Sequence, residues 1–380
     1  MELTDTQRQI RDTARAFAAR EIAPHAAEWD RAKATPRALF TKMAQVGLMG
    51  VCVDPKYGGA GADFVAYVLA MEELSAADGG IANVMAANNS PVAAALQQHG
   101  SDWQKENYLT KLCSGEWIGA IHLTEPHTGS DAAAIRTRAV RDGDDWVLNG
   151  QKAFITSGAL SDLSMIVAVT DPGAGKRGIT TFITPSDNPG YTVIREEEKL
   201  GHRTNDTSQV VFENMRVPAR DVLGEPGRGL GIALANLSAG RIGVAAQAVG
   251  GARAALKAAR AYAAERETFG KPIVEHQAIA FMLAEMATEI EAARALTLQA
   301  AHRHAAGEDS AREASMAKLF ASEMAERVAS KAIQIHGGAG YLNDHIVEKI
   351  YRDVRVYQIY EGTSEVQKIV IARLLDGLDL

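Results

Sequence analysis

The spacing of apolar residues divides the chain into three parts. Residues 1–117 and 226–380 repeat apolar positions every three to four residues, as at Ile10 and Ala14, and this spacing predicts helices. Residues 118–225 instead contain short runs of β-branched residues bounded by Gly, Pro, Asp and Asn, and such runs predict strands. The sequence therefore predicts an N-terminal helical domain, a middle β domain and a C-terminal helical domain.

Local signals predict helix starts and helix faces in the first part. Thr4 and Gln7 match a capping box, in which each side chain bonds the other residue's backbone N–H. Thr35 stands directly before a proline and predicts a second helix start. In the later run "FVAYVLAMEELSAAD", helical periodicity predicts that Glu72 and Glu73 face solvent.

Turn signals interrupt the middle part. Asp142-Gly143 and Asn149-Gly150 are dipeptides typical of tight turns between strands. Together with the strand-like runs, they favour an antiparallel sheet over alternating βαβ units. The strand-like runs are "LSMIVAV", "GITTFIT" and "SQVVF".

The last part returns to long helices that are rich in small residues. Gly337 and Gly338 predict the end of one helix, and Ser364 with Gln367 matches a second capping box that predicts the start of another. No internal repeat or low-complexity linker separates the three parts. The predicted architecture is α+β: an N-terminal helical layer, a small antiparallel sheet domain and a C-terminal antiparallel helical bundle, packed as one unit.

Composition limits the classes of partner. The 380 residues are 47% hydrophobic with a formal net charge of −7, which gives no electrostatic reason to expect nucleic acid or an anionic membrane. Cys52 and Cys113 provide no disulfide framework, and no run approaches ~18 uninterrupted apolar residues. Acidic residues near the start argue against a secretory signal or a transit peptide. A cytoplasmic protein without membrane insertion is expected.

Several kinds of catalytic site are excluded by residue spacing. "DPGAGKRG" lacks the spacing of a Walker loop, and "EPGRGLG" lacks the spacing and the βαβ context of the dinucleotide fingerprint. His302 and His304 would point to different faces of a helix, so no metal site is predicted. A serine hydrolase elbow is missing too. An enzyme with this sequence would need a bound cofactor, held without a Rossmann fold.

Glu361, in the stretch "IYEGTSEVQ" (residues 359–367), has two interpretations. An acidic residue just before a helix start is favoured by the helix dipole, by about 0.3–1 kcal/mol, which would be a structural role. Alternatively, burial among its apolar neighbours would raise the pKa of the carboxylate and make it a stronger base, and Gly362 would let a ligand approach the backbone. Periodicity does not choose between them.

A resemblance favours the second interpretation. The segment "IYEGTSEVQKIVIARLL" resembles the C-terminal signature of the acyl-CoA dehydrogenase family, whose catalytic base is the glutamate of this stretch. The resemblance covers nearly the whole chain with its motifs in family order, and it implies that Glu361 is the base. The other motifs are "LTEPHTGSDA", "FITSG", "KLGHRTNDTSQVVFENMRVP", "GRIGVAAQAVG", "ERETFGKPIVEHQAIAFMLAEMA" and "QIHGGAGYLNDHIVEKIYRDVRVYQIYEGTSE".

The resemblance also implies that FAD binds between the sheet domain and the C-terminal bundle. "LTEPHTGSD" would offer backbone N–H groups and hydroxyls to the flavin and the thioester, and "FITSG" would lay Phe154 beside the flavin. Thr363 and Glu365 would complete the contacts next to the base. The implied cofactor-binding residues of this group are Leu123, Thr124, Gly129, Ser130, Phe154, Ile155, Thr156, Thr363 and Glu365.

Further segments resemble those that bind FAD from across a dimer. An arginine suits the pyrophosphate because it can donate two hydrogen bonds, and glycines allow close backbone contact. These residues are Arg266, Phe269, Gln277, Gln334, Gly337 and Gly338. For the substrate, the resemblance implies contacts from Ser130, Tyr360 and Gly362. Arg241 resembles the family arginine near the coenzyme A moiety, with a buried structural ion pair as the alternative.

The mechanism that the family implies is concerted. Glu361 would remove the α-proton of an acyl-CoA thioester while the β-hydride passes to the flavin, giving a trans-2-enoyl-CoA. A ribityl hydroxyl of FAD and the backbone N–H of Glu361 would stabilise the charge on the thioester oxygen. The reduced cofactor would pass its electrons to an electron-transfer flavoprotein. The family also implies a homotetramer, arranged as a dimer of dimers.

Departures from family patterns narrow the substrate. The isovaleryl type carries its base on the helix represented here by "LSAGRIG", which has no glutamate, and Ser238 replaces an aspartate common in some relatives, so no substrate contact is expected there. Phe154 replaces a common tryptophan. "MAANNSPVAAALQQ" (residues 85–98) lacks the cation that a glutaryl group would need. An uncharged, short or short-branched acyl-CoA from fatty-acid or branched-chain amino-acid catabolism is expected. A same-fold acyl-CoA oxidase and a redox-silent helical scaffold protein stay open as alternatives.

Overall fold

Helices occupy both ends of the chain and strands occupy the middle. The computed structural model describes residues 2–375 and confirms the α+β class, with a sheet domain between two helical domains. The bounds drawn between the three parts stay predictions. The N-terminal helices are α1 (Asp5–Phe17), α2 (Ala26–Ala32), α3 (Ala38–Gln45), α4 (Phe64–Ala77), α5 (Gly79–Ala87), α6 (Ala94–His99), α7 (Asp102–Gln104) and α8 (Thr110–Cys113).

The middle strands form one mixed sheet in the order β1-β4-β2-β3-β7-β6, with β5 paired to β4. Most neighbouring strands are antiparallel, as predicted, but β1 and β2 each run parallel to β4. The sheet is therefore not purely antiparallel. The strands are β1 (Gly119–His122), β2 (Arg138–Asp142), β3 (Asp145–Thr156), β4 (Leu163–Val169), β5 (Ile179–Pro185), β6 (Tyr191–Glu196) and β7 (Thr207–Pro218).

The two predicted turns of this sheet have different outcomes. Gly143, with φ +63°, lies in the turn between β2 and β3, as predicted. Asn149-Gly150 lies inside β3, so the second turn prediction is wrong. The register between β3 and β7 shifts there, which marks a bulge. Gly150 is required at this point because an added Cβ would lie 2.5 Å from Thr137 Oγ1.

The C-terminal domain is built around α10, which packs against α4, α11 and α12. Small residues on α10, such as Ala245, Ala252 and Ala259, are buried and allow this close packing. The stretch Gly229–Glu265 is apolar and long enough to cross a membrane, but 71% of its most apolar window is buried inside the protein, so packing explains its composition. The elements are α9 (Gly229–Ala235), α10 (Leu237–Glu265), β8 (Glu267–Thr268), β9 (Lys271–Pro272), α11 (Gln277–Ala305), α12 (Ala311–His336), α13 (Ile346–Val354) and α14 (Ser364–Arg373).

Of the two helix starts predicted in the N-terminal domain, one is found. Thr4 and Gln7 form the predicted capping box at the start of α1. Thr35 is not a cap: α3 begins at Ala38, and the Thr35 hydroxyl donates to the carbonyl of Thr204 at 2.6 Å. That prediction is wrong because a contact with the middle domain engages the hydroxyl.

The ends of α12 and α14 follow the sequence signals more closely. Helix α12 ends before Gly337, which has φ +59°, as predicted. Helix α14 starts at Ser364, but its cap is Thr363, whose hydroxyl accepts from the N–H of Val366 at 3.3 Å. The predicted capping box from Ser364 to Gln367 is therefore wrong: the cap lies one residue earlier, and the Gln367 side chain donates instead to the carbonyls of Glu361 and Gly362. The spacing in "EVQKIVIARLLDGL" predicts that this helix continues to residue 378, but α14 ends at Arg373; residues 376–378 of that stretch lie outside the described residues.

The predicted solvent face of α4 is wrong. Glu72 and Glu73 are 0% and 6% exposed, because α1, α10 and α11 all pack around α4. Arg294 donates to Glu72 at 2.9 Å, Arg15 makes two hydrogen bonds to Glu73, and Arg253 contacts both carboxylates. Buried carboxylates are tolerated here because each has an arginine partner.

A second buried ionic cluster joins all three parts of the chain. Lys349 on α13 lies 2.8 Å from Asp78 at the start of α5 and 2.6 Å from Asp353. Thr204 donates to Asp78 at 2.5 Å, and the backbone N–H of His202 donates to Asp353 at 2.6 Å. Because Lys349 is 4% exposed, its loss would leave two buried carboxylates without their cation.

We expect Lys349→Met to lower the free energy of unfolding by about 3–5 kcal/mol, the range found when one partner of a buried pair is removed. Urea unfolding followed by circular dichroism measures this. The control is Lys368→Met, since that lysine is exposed and lies 3.8 Å from Glu323; its effect should stay within about 0.5 kcal/mol. Equal effects of the two variants would contradict the role of the cluster.

Candidate active site

Two adjoining cavities lie where the sheet domain meets the two helical domains. The larger has a volume of about 770 Å³ and the smaller about 260 Å³. They share one wall, so a molecule that reaches this wall in one cavity lies next to a molecule that reaches it in the other. The residues that line both are Asn83, Thr124, Gly129, Ser130, Phe154, Thr156, Tyr360, Glu361 and Gly362.

The large cavity has more charged residues in its walls than the small one. Its remaining walls come from the loop after β1, from residues 197–207 of the sheet domain and from the segment that leads to Glu361, which includes Arg352 and Ile359. Thr363 lines it at the start of α14. This cavity therefore combines hydroxyl groups and charged side chains with an aromatic wall.

The small cavity lies between the sheet and helices α4, α5 and α10. Leu123 and Ile155 line it from the sheet domain, and Tyr67, Val244 and Gln247 line it from the helices. The Tyr360 hydroxyl donates to Gln247 Oε1 at 2.7 Å, while Gln247 Nε2 has no partner within the described residues. Apolar walls with a few polar groups are typical of a small-molecule site.

Glu361 lies on the wall between the cavities. Its carboxylate rests against Gly240 of α10, where an added Cβ would lie 2.8 Å from Glu361 Oε2. Glu361 and Gly362 have φ values of +54° and +89°, so the chain makes a left-handed turn that aims the side chain into the site. Gln367 holds this turn, because its Nε2 donates to the carbonyl of Glu361 at 3.2 Å and to that of Gly362 at 2.9 Å.

Burial raises the pKa of Glu361 above its ordinary value of 4.5, and the nearby cations Arg241 and Lys318 oppose this rise. Arg241 is 8% exposed and lines the small cavity. Its Nη1 donates to Ser315 at 3.2 Å, and its Nε has no partner within the described residues. Two opposing effects therefore act on the Glu361 carboxylate: desolvation favours its neutral form, and two buried cations favour its ionised form.

Phe154 forms the aromatic wall of both cavities. It is 64% exposed, with φ +58°, so the chain turns its ring out of the sheet. Next to it, the Thr156 hydroxyl accepts a hydrogen bond from Asn83 at 3.3 Å. A large aromatic side chain exposed inside a cavity suits a ligand with a flat ring.

Lys152, which sequence analysis missed, shapes the loop after β1. It is fully buried, and its ammonium group donates to the carbonyls of Leu123 and Val167 at 3.0 and 2.8 Å and to Glu125 at 2.9 Å. Glu125 in turn accepts from the backbone N–H groups of residues 136 and 137. Burial lowers the pKa of Lys152 to about 8, against the attraction of Glu125. The only sequence signal was a lysine inside an otherwise strand-like run.

Not all predicted site residues meet at these cavities. Leu123, Ile155 and Arg241 line the small cavity, Thr363 lines the large one, and most of the others line both. Glu365 is exposed at the start of α14 and lines neither. The residues expected to act across a dimer lie at one end of the helical bundle, exposed and away from this chain's cavities: Arg266, Phe269, Gln277, Gln334, Gly337 and Gly338. Their binding roles stay predictions.

The described residues offer no group of three or more His, Cys, Asp or Glu side chains that could hold a metal ion.

Comparison with known proteins places the whole chain in one family. Three family models match in order: "Acyl-CoA dehydrogenase, N-terminal domain" at residues 4–116, "Acyl-CoA dehydrogenase, middle domain" at 120–215 and "Acyl-CoA dehydrogenase, C-terminal domain" at 227–375. Together these matches cover nearly the whole chain.

Individual relatives agree with the family models. An acyl-CoA dehydrogenase of Bacillus subtilis is 45% identical over 99% of this chain and all of its own length. A short-chain-specific acyl-CoA dehydrogenase of Clostridium acetobutylicum is 44% identical over 97% of this chain and 98% of its own. The structure of butyryl-CoA dehydrogenase from Megasphaera elsdenii matches with a TM-score of 0.96 and 41% identity over 99% of both chains. The chain therefore belongs to the acyl-CoA dehydrogenase family, whose members are FAD-dependent oxidoreductases.

Proposed function

We propose that this enzyme removes two hydrogens from an uncharged, short or short-branched acyl-CoA to give the trans-2-enoyl-CoA, with Glu361 as the base. The observation that carries the proposal is the position of the Glu361 carboxylate. It lies on the wall shared by two cavities, one large enough for a cofactor and one small enough to select an acyl group.

The residues of the large cavity fit FAD. The exposed ring of Phe154 offers a flat apolar surface, and the hydroxyls of Thr124 and Ser130 have no hydrogen-bond partner within the described residues. Thr124, Gly129, Ser130, Phe154 and Thr156 would hold the cofactor. When bound, FAD supplies the hydride acceptor for the reaction.

Glu361 supplies the proton acceptor. The α-carbon of a thioester is a weak acid, so a base with a raised pKa gains driving force, provided that it is still ionised at the working pH. Gly240 leaves the room that the carboxylate occupies. Apolar walls around the carboxylate exclude water and strengthen the electrostatic interactions of the bound thioester.

The small cavity supports an uncharged and short acyl group. Among its described lining residues, Arg241 is the one permanent cation, and it lies beside Glu361. Tyr67 is 2% exposed and narrows the cavity from α4, with its hydroxyl packed close to Gly243 of α10. The similarity to short-chain and butyryl-CoA dehydrogenases agrees with this size limit.

The proposal extends to electron disposal and assembly. Electrons would pass to an electron-transfer flavoprotein, and the working enzyme would be a cytoplasmic homotetramer in fatty-acid or branched-chain catabolism. Phe269 is 97% exposed and Tyr341 is 85% exposed at the end of the bundle that carries the predicted cross-dimer residues, so a second subunit there would bury apolar surface. Family membership removes the scaffold alternative, while an oxidase would differ in reacting with oxygen.

We expect Glu361→Gln to keep bound FAD and to lower turnover by about 10²–10⁴-fold, because the amide keeps the shape of the side chain but cannot accept the α-proton. Turnover is measured with a dye acceptor and butyryl-CoA, and bound FAD by its absorbance. Peroxide formation in air, assayed on the wild type, separates a dehydrogenase from an oxidase. Wild-type turnover in the variant would refute Glu361 as the base.

Turnover should also depend on pH in a defined direction. Since the base must be ionised, kcat is full above the pKa of Glu361 and falls about tenfold per pH unit below it. Because burial raises that pKa, the acid limb should lie above pH 4.5. The measurement is kcat against pH, with activity at pH 7 restored afterwards to show that the enzyme survives. A limb at or below pH 4.5 would contradict the desolvated base.

Tyr67 should limit acyl length. In Tyr67→Ala, two further methylene groups can be buried at about 0.8 kcal/mol each, so kcat/KM for hexanoyl-CoA relative to butyryl-CoA should rise about tenfold. The control is Tyr67→Phe, which keeps the ring and should keep the wild-type preference within about twofold. An unchanged ratio in Tyr67→Ala would show that other residues limit the cavity.

A further inference from the structure

Lys318 on α12 is a buried lysine that lies directly behind the site. Its side chain is 0% exposed, and its Nζ donates to the carbonyl of Gly362 at 2.7 Å. The described residues provide no carboxylate within ion-pair distance of this ammonium group. Burial lowers the pKa of Lys318 to about 8, and the attraction of Glu361 opposes that shift.

Burying a lysine without an ion pair disfavours its charged form, so the position calls for an explanation. Most of α12 around it consists of small buried residues such as Ala314, Ala317 and Ala321. A leucine or methionine would fill the same space without a desolvation penalty. The feature that distinguishes a lysine here is its contact with the turn that carries Glu361.

That turn needs external support. Two consecutive residues, Glu361 and Gly362, have positive φ, and the first of them is not a glycine. A side-chain-bearing residue in this region is disfavoured and persists only when its surroundings hold it. The carbonyl of Gly362 accepts from two side chains on different helices, Gln367 on α14 and Lys318 on α12. The two donors together fix the orientation of the turn.

The charge of Lys318 also acts on Glu361. The charged and titratable groups that face the Glu361 carboxylate are Arg241 on α10, Lys318 on α12, and the phenols of Tyr67 on α4 and the adjacent Tyr360. Of these, the two cations favour the ionised carboxylate, whereas burial disfavours it.

The groups that face Lys318 set its own charge. Two carboxylates near the start of α14, Glu361 and Glu365, favour the ammonium form of Lys318. Glu323, which lies on α12 like Lys318, favours it too. Arg241 on α10 disfavours it. Three carboxylates thus oppose the effects of one cation and of burial on Lys318, and its ammonium form is retained below about pH 8.

We propose that Lys318 is a positioning residue for Glu361: it holds the Gly362 carbonyl so that the left-handed turn keeps its shape, and its charge keeps the carboxylate ionised inside an apolar site. This inference rests on the proposed role of Glu361 as the base. It predicts two separable effects, one on the geometry of the turn and one on the charge of the carboxylate.

Two substitutions separate these effects. Lys318→Gln keeps a hydrogen-bond donor but removes the charge, so the acid limb of kcat should move up by about half to one pH unit while the plateau stays within about threefold. Lys318→Met removes both the donor and the charge. The acid limb should then move by the same amount, and the plateau value of kcat should also fall about 10–100-fold, because a misplaced base loses alignment with the α-carbon. Both enzymes are assayed with FAD bound and butyryl-CoA as substrate, and circular dichroism and FAD content are measured alongside.

The matched control is Lys331→Met on the same helix. That lysine is partly exposed and pairs with Glu285 and Glu289, away from the cavities. Its removal should leave both the acid limb and the plateau at wild-type values. An effect on folding alone would change protein yield or FAD content without moving the acid limb.

The proposal is overturned if folded, FAD-loaded Lys318→Gln has the acid limb of the wild type, or if Lys318→Met keeps the wild-type plateau. If Lys318→Met does not fold, the limb of Lys318→Gln still decides. These outcomes differ from failure of the proposed function, which would appear as full turnover in Glu361→Gln whatever the Lys318 variants do.

Discussion

The desolvation of one half-buried carboxylate at the meeting point of three domains is the constraint on which this site depends. In its proposed role as the base, Glu361 must be desolvated to be strongly basic and ionised to accept a proton, and these demands oppose each other. The structure meets them with cations from two different helices, Arg241 and Lys318, and with a glycine, Gly240, that makes room for the carboxylate. No single segment of the chain could supply all of these neighbours.

Buried lysines that contact carboxylates also occur at the edges of the site. Lys152 and Glu125 lock the loop that lines both cavities, and Lys349 lies between Asp78 and Asp353 where the three parts of the chain meet. Buried ionic groups add little net stability over apolar packing, but they tolerate few alternative arrangements, because an unpaired buried charge is costly. They therefore suit a site in which loops from separate domains must keep fixed positions.

Sequence patterns predicted the elements well where the cause was local. The capping box at Thr4, the stop at Gly337 and the turn at Gly143 all depend on backbone geometry within a few residues, and all three are found. The errors share a different cause. Glu72 and Glu73 are buried because other helices cover both sides of α4, and Gly150 lies in a bulge because another segment approaches it. Periodicity along one segment carries no information about such neighbours.

The sequence by itself determined the class of fold, the family resemblance and the candidate base, because these follow from local periodicity and from motifs that are contiguous along the chain. Only the tertiary structure decided that Glu361 lies half-buried on the wall between two cavities, and that Lys318 and Lys152 donate to backbone carbonyls of the segments around it. The physical reason is distance along the chain. Lys318 precedes the carbonyl that it holds by 44 residues, and Lys152 follows the Leu123 carbonyl by 29. The hydrogen-bond acceptor of a lysine inside an apolar run can be identified only in the folded structure, because the acceptor lies far away along the chain.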